Sequence, residues 1–188
     1  MESLQSLKLR TKSIKNINQI TKAMELVAAT KMRRSQEIAL SSRPYMFAAL
    51  DMLANVTRLA GVPLPALLTP REVKHTAYVM VTSDKGLAGS FNSAVMKEFD
   101  VLVRESAGTD HPVSKETDRF IAVGQKAAAY LEKNFNVREK FVRAGDYSTL
   151  EQVAPSTDLL IKEYLNGEWD RVVIVSTHFR SALVQEVL

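Results

Sequence analysis

The sequence contains no cysteine, which excludes disulfides and thiolate metal sites and suits a reducing compartment. No apolar run approaches the eighteen or so residues that would suggest a membrane-spanning helix. The first residues, Met1 to Ser6, lack the charged, then apolar, then small pattern of a secretory signal. Histidine is sparse, and His75, His111 and His178 stand apart without ligand spacing, so they outline no metal site. Glycine is missing before Gly61, and the only proline before that point is Pro44. Aromatic residues are missing until Tyr45.

The long stretch without glycine is helical in its spacing. Ile14, Ile17, Ile20, Met24, Val27 and Ala28, then Met46, Phe47, Leu50, Leu53 and Val56 recur mostly in steps of three and four, which places them on one stripe. Gly61, followed by Pro63 and Pro65, is a helix stop, and Pro44 is expected to kink the helix or loosen one turn. Residues 1–60 therefore read as one long amphipathic helix and 61–74 as a linker.

Charge is concentrated in this arm. The whole chain of 188 residues carries a formal net charge of +4. Residues 1–43 hold nine basic and three acidic residues, a net +6, and the rest of the chain nets −2. A helix over residues 4–58 would run about 80 Å at about 1.5 Å per residue. The remaining residues would make a globule about 36 Å across. Much of the apolar stripe therefore needs another helix, another subunit or a membrane surface. Nucleic acid is a weaker reading, because the arm has no aromatic side chain for stacking on bases before Tyr45. A membrane-surface helix is weaker still, since the apolar face through residue 43 is Ile, Met, Val and Ala rather than Trp, Phe or Leu.

The pattern changes at residue 75. Strands are predicted over His75–Thr82, Phe120–Val123, Val137–Val142 and Arg171–Ser176, with a fifth over Ala182–Leu188. Helices are predicted over Phe91–Arg104, Gln125–Phe135 and Thr149–Leu165, the last stopped by Asn166–Gly167. Alternating strands and helices predict a Rossmann-like α/β domain over 75–188, with a mostly parallel sheet covered on both faces.

Candidate chemistry is thin. Gly86 and Gly89 lie between a strand and a helix, where such folds bind phosphate. However, Lys85-Gly-Leu-Ala-Gly89 matches neither phosphate-binding glycine motif, and a tight turn that needs glycine angles is the simpler use. Asp84 is expected to close that turn through its side chain. Trp169 is expected to be packing. No constellation meets the tests of an active site, which points to a mechanical or structural subunit rather than an enzyme. A nucleotide-binding α/β protein with a helical oligomerisation arm is the alternative.

Two segments together resemble the gamma subunit of the F-type ATP synthase, the central rotor shaft. They are Leu7 to Arg34, especially Ser13 to Ala29 with Ser42-Arg-Pro-Tyr45 beyond it, and Thr82-Ser-Asp-Lys-Gly-Leu-Ala-Gly-Ser-Phe-Asn92. Phe179 to Gln185 is similar as well. Gln19 and Ala88 stand where that family commonly has lysine and cysteine. The resemblance implies a non-catalytic subunit that binds no cofactor and couples an ion gradient (hydrogen ion transport) to ATP synthesis. It implies that the N-terminal helix is half of an antiparallel coiled coil inside a hexamer of alpha and beta subunits. It implies an α/β domain near the epsilon subunit and the membrane c-ring, peripheral on the cytoplasmic face of a bacterial plasma membrane. Carried over residue by residue, Lys15, Lys22, Met24 and Val27 would face the hexamer. Asp84, Lys85, Gly86 and Gly89 would form a structural or subunit-contact turn. The family's C-terminal helix has no counterpart in these residues, so the chain reads as C-terminally truncated, and its stripe is expected to self-associate or fray.

Overall fold

A computed structural model describes residues 3–58, 64–143, 149–181 and 184–188. The chain divides into two compact units, Met1–Val62 and Pro63–Leu188.

The first unit is a single α-helix, α1 (Leu4–Arg58), which runs through Pro44 without interruption. Ser3 starts it. Its side-chain oxygen accepts the Ser6 N–H at 3.2 Å and its carbonyl accepts the Leu7 N–H at 3.1 Å, satisfying N–H groups that an uncapped helix leaves bare. Arg33 pairs with Glu37 one turn on, at 3.2 Å, an exposed pair worth about 0.3–0.5 kcal/mol. The stop predicted at Gly61 lies outside the described residues. No residue of α1 is buried, so little of its stability comes from packing within this unit.

The second unit is a four-stranded, wholly parallel sheet with helices on both faces. Its strands are β1 (Thr76–Val81), β2 (Arg119–Val123), β3 (Val137–Phe141) and β4 (Arg171–Val175), in the order β3-β2-β1-β4. Its helices are α2 (Phe91–Ser106), α3 (Gln125–Asn134) and α4 (Leu150–Asn166). Strand alternation sends Tyr78, Met80, Phe120, Ala122 and Val175 to one face, against Val95 and Phe99 of α2 and Ala127, Ala128 and Leu131 of α3. It sends Ala77, Val79 and Ile121 to the other, against Trp169 and the Leu159, Leu160 and Tyr164 side of α4. Phe120 lies tilted against Phe135 at 4.4 Å between ring centres, and Phe99 meets Tyr78 edge-on at 6.0 Å. Such ring pairs add about 0.5–1.5 kcal/mol each beyond area burial. The Tyr130 hydroxyl donates to Asp100, tying α3 to α2. Burial, with that carboxylate beside it, pushes the phenol's pKa well up.

Trp169 is fully buried, and its indole N–H donates to the Leu160 carbonyl at 3.2 Å, which fulfils the packing role expected of it. Arg71, in the extended segment before β1, holds this corner. It pairs with Asp170 at 2.9 Å, donates to the Tyr164 and Trp169 carbonyls and lies 3.8 Å over the Tyr164 ring. Gly167, at φ 82°, ends α4, as the Asn-Gly stop predicts.

The strand predicted over Ala182–Leu188 is present as Gln185–Val187, outside the parallel sheet. The end of the chain adds no fifth strand to the parallel sheet. It forms a separate antiparallel pair of β5 (Thr177–Phe179) and β6 (Gln185–Val187). Ala182 and Leu183 lie outside the described residues. β5 follows β4 almost directly, so the chain doubles back within a few residues. A parallel partner would have needed a crossover of a dozen or more.

Candidate partner-contact site

Each unit carries part of the predicted contact set.

On α1, Ile14, Ile17, Ile20, Met24 and Val27 are between 49% and 60% exposed. At about 100° per residue they fall within one broad sector. Lys15 and Lys22 fall on the opposite side, in a row with Lys8. The three recur every seven residues, two turns apart. The helix therefore offers an apolar face and a cationic face, and Met24 and Val27 belong to the first.

In the α/β unit, the turn between β1 and α2 is held by its own side chains. The Ser83 N–H donates to Asn92 Oδ1 at 3.0 Å, Asn92 Nδ2 donates to Ser83 Oγ at 2.9 Å, and Ser83 Oγ donates to the Lys85 carbonyl at 2.6 Å. Ser83 and Asn92 thus close the turn, whereas the sequence suggests Asp84 for that part. Asp84 reaches elsewhere. Its carboxylate accepts the Gln125 N–H at 2.9 Å and the Arg143 N–H at 3.0 Å. A carboxylate beside the unsatisfied N–H groups of a helix start gains more there than within a tight turn.

The start of α3 is filled completely by this segment. Gln125 N–H is taken by Asp84, Lys126 N–H by the Ser83 carbonyl at 3.2 Å, and Ala127 N–H by Thr82 Oγ1 at 2.7 Å. A phosphate could bind there only by displacing all three. Gly124 makes the approach possible. Its φ is 95°, and a Cβ on it would lie 2.2 Å from the Thr82 carbonyl oxygen. Gly124 is a requirement that the sequence reading passes over. The signal available was a lone glycine between a strand and a helix.

The tip of the turn projects outward. Gly89 has φ 56°, as a glycine-dependent turn predicts, but nothing lies within 4 Å of a Cβ placed on Gly86, and its φ is not in the left-handed region. The second left-handed position is Leu87, at φ 63°, and this leucine is 94% exposed. Lys85 is exposed beside it. A rigid base therefore presents a bare leucine next to a cation. Leu87 is absent from the predicted contact residues, because a leucine beside glycines carries no local sign of a left-handed backbone.

Among the described residues, no group of three His, Asp or Glu side chains could hold a metal ion. No described helix is long and apolar enough to cross a membrane.

Residues 3–188 match a family model described as ATP synthase. The chain is similar to the ATP synthase gamma chain of Chlorobaculum parvum, 36% identical over 97% of this chain and 63% of that one. It is 35% identical to the ATP synthase gamma chain of Desulforamulus reducens, over 98% of this chain and 62% of that one. A third relative, the sodium ion specific ATP synthase gamma chain of Acetobacterium woodii, is 33% identical over 98% of this chain and 58% of that one. The chain thus spans about three fifths of the length of these curated relatives. Among solved structures, it resembles a chain of the Tetrahymena thermophila mitochondrial ATP synthase central stalk and c-ring, with a TM-score of 0.63 and 24% identity over 90% of this chain and 70% of that one. That likeness establishes the shared fold.

Proposed function

The chain belongs to the ATP synthase family, and from that premise we propose that it serves as the gamma-type, central-stalk rotor subunit. It carries no catalytic site of its own and couples ion flow to ATP synthesis on other chains. The observation that supports this reading most is α1, a helix of 55 residues with none buried, whose apolar face requires protein partners. A stiff helix pair resists bending and twisting, which a rotating shaft requires.

In this reading α1 runs inside the hexamer of alpha and beta subunits. Met24 and Val27 lie on the face that pairs with a second helix, and Lys15 and Lys22 present positive charge to acidic segments of the hexamer. The turn with Asp84, Lys85, Gly86 and Gly89 is a second contact, with Asp84 and Gly89 shaping it and Lys85 and Leu87 presented by it. Epsilon-type and c-ring partners would meet the α/β unit, with the whole peripheral on the cytoplasmic face of a bacterial plasma membrane. The family is compatible with a proton or a sodium gradient, since one relative is named as sodium ion specific. The nucleotide-binding alternative is disfavoured by the family match and by the gamma-chain names of the relatives.

Co-purification tests the reading. The tagged chain, expressed with alpha and beta subunits, should recover both in a complex with one copy of the chain per hexamer. Failure to recover them, or micromolar binding of ATP or NAD by the chain alone, would overturn it.

A further inference from the structure

β4 is the outer strand beyond β1 in the parallel sheet. On the α2 face it carries Val173, in register with Tyr78. Among the described residues, α2 and α3 are the helices that pack on that face. The chain passes from β4 into β5 with one residue between them, so no crossover helix lies there to cover β4. A groove of about 520 Å³ is left between α2 and β4.

The buried Tyr78 and the half-buried Leu102 and Val173 make its floor, and the exposed Glu98, Glu105 and Asp110 stand at its rim. One guanidinium lines it, that of Arg171, and its Nε donates to Thr76 Oγ1 at 3.3 Å. Among the described residues, none of the three carboxylates has an ion-pair partner. The groove is therefore apolar within and acidic around, with its negative charge uncompensated.

Spacing decides what fits. Glu98, Leu102 and Glu105 follow one another at four and three residues on α2, so they share one flank of the helix. The two carboxylates stand two turns, or about 10 Å, apart. A partner helix repeats that spacing with cations seven residues apart and an apolar side chain between them. An extended segment does not, because side chains on one face of a strand recur about every 6.6 Å, which puts cations about 7 or 13 Å apart.

We propose that this groove seats an amphipathic helix of a partner protein, carrying two Lys or Arg side chains seven residues apart with leucine between them. The cations meet Glu98 and Glu105, and the leucine enters between Leu102 and Val173. Apolar burial supplies affinity and the paired charges fix orientation and register. The arm of a second copy is a poorer occupant. Its Lys8, Lys15 and Lys22 have the spacing, but Thr11, Lys12, Asn18 and Gln19 between them are polar and would leave the floor unfilled. The groove runs along the second half of α2, away from the turn that precedes this helix, and it takes its partner whether or not the chain serves as a rotor.

The test uses the whole chain and a labelled, alanine-based helical peptide of about twenty residues that contains Lys-Ala-Ala-Leu-Leu-Ala-Ala-Lys. Leucine at both central positions lets the helix lie in either direction along α2. Fluorescence anisotropy should show saturable binding that weakens as salt is raised. Glu98→Gln/Glu105→Gln, both positions exposed on α2, should weaken it by about fivefold or more. Replacing the peptide's two lysines with glutamine should do the same. Glu98→Lys/Glu105→Lys should prefer the peptide with glutamate in place of lysine, a reversal that damage to the fold cannot produce. Absence of saturable binding, equal binding by the glutamine variant, or no reversal in the charge swap would overturn the proposal. So would loss of the chain's own association in the glutamine variant without peptide, which would assign the groove to a second copy.

Discussion

The Asp84 carboxylate accepts the backbone N–H of Gln125 at 2.9 Å, and the two residues lie 41 positions apart in the chain. One side chain thus joins the turn after β1 to the start of α3, and through Arg143 N–H to the end of β3. Replacing Asp84 with alanine leaves both N–H groups without their acceptor. The expected loss is about 1–3 kcal/mol, measured by urea denaturation. Asp84→Asn keeps one acceptor oxygen and should recover part of it. Amide exchange at Gln125 should accelerate in the alanine variant. An unchanged denaturation midpoint would show that the cap is dispensable.

Gly124 and Gly86 provide a paired comparison. At Gly124 a methyl group would collide with the Thr82 carbonyl, and the backbone angle is already left-handed. Gly124→Ala should therefore cost about 3 kcal/mol or more, since strain and collision act together. At Gly86 there is open space, and alanine should change stability by less than about 1 kcal/mol, with the sign set by reduced freedom of the unfolded chain. Thermal denaturation of the two variants measured side by side decides this. Similar melting temperatures would contradict the close approach of Gly124 to Thr82.

These two residues also mark where the sequence stopped being legible. β1, β2 and β4 could be read because buried parallel strands are short β-branched or aromatic runs. The end of α4 could be read from Asn166–Gly167. The part played by Asp84 could not, because its partners Gln125 and Arg143 lie 41 and 59 positions away and local turn chemistry offered a nearer explanation. β6 lies within the strand predicted over Ala182–Leu188, but its partner β5 went unread, because Thr177–Phe179 is three residues, too short for alternation to register. Leu87 shows the same limit. Its side chain gives no sign of its backbone angle, and its exposure depends on how Ser83 and Asn92 close the turn.

Acid should weaken the corner around Asp170. Burial pushes the Asp170 pKa up, but the N–H groups of Lys74 and His75 and the Arg71 guanidinium outweigh it, so the folded-state value lies below the ordinary one. A carboxylate with a depressed folded pKa contributes stability that is fully present above its unfolded pKa, about 3.9. That contribution is lost as the pH falls through the folded value. Stability should therefore decline below about pH 4. Asp170→Asn should be less stable at neutral pH and show a flatter acid limb. Urea midpoints between pH 2 and 7 test this, and parallel acid limbs in the two proteins would refute it.

Leu87 separates folding from contact. Its left-handed backbone costs a non-glycine residue about 1 kcal/mol, and its exposed side chain returns little within this unit. Leu87→Gly should leave the α/β unit as stable or raise it by about 0.5–1 kcal/mol. If the turn is a contact, the same variant should reduce recovery of an epsilon subunit in co-purification. Loss of stability together with full recovery would argue that the leucine is structural.

The apolar face of α1 yields the most demanding prediction. A helix this long is fully formed in water only when its stripe is covered, and here Ile14, Ile17, Ile20, Met24 and Val27 are about half exposed. The 188-residue chain by itself should therefore associate as its concentration rises, with helicity rising in step, or else lose helicity along α1 when dilute. Analytical ultracentrifugation and circular dichroism over a concentration series read both outcomes. Ile17→Lys with Val27→Lys places charge on the stripe and should give a monomer of lower helicity, while the α/β unit melts unchanged. Neutralising Lys8, Lys15 and Lys22 on the opposite face should leave self-association intact or strengthen it, since like charges then no longer repel. The same triple variant should slow association with alpha and beta subunits and reduce its dependence on salt. A monomer of full helicity at every concentration would mean that the stripe needs no partner, and the rotor reading would lose its main physical support.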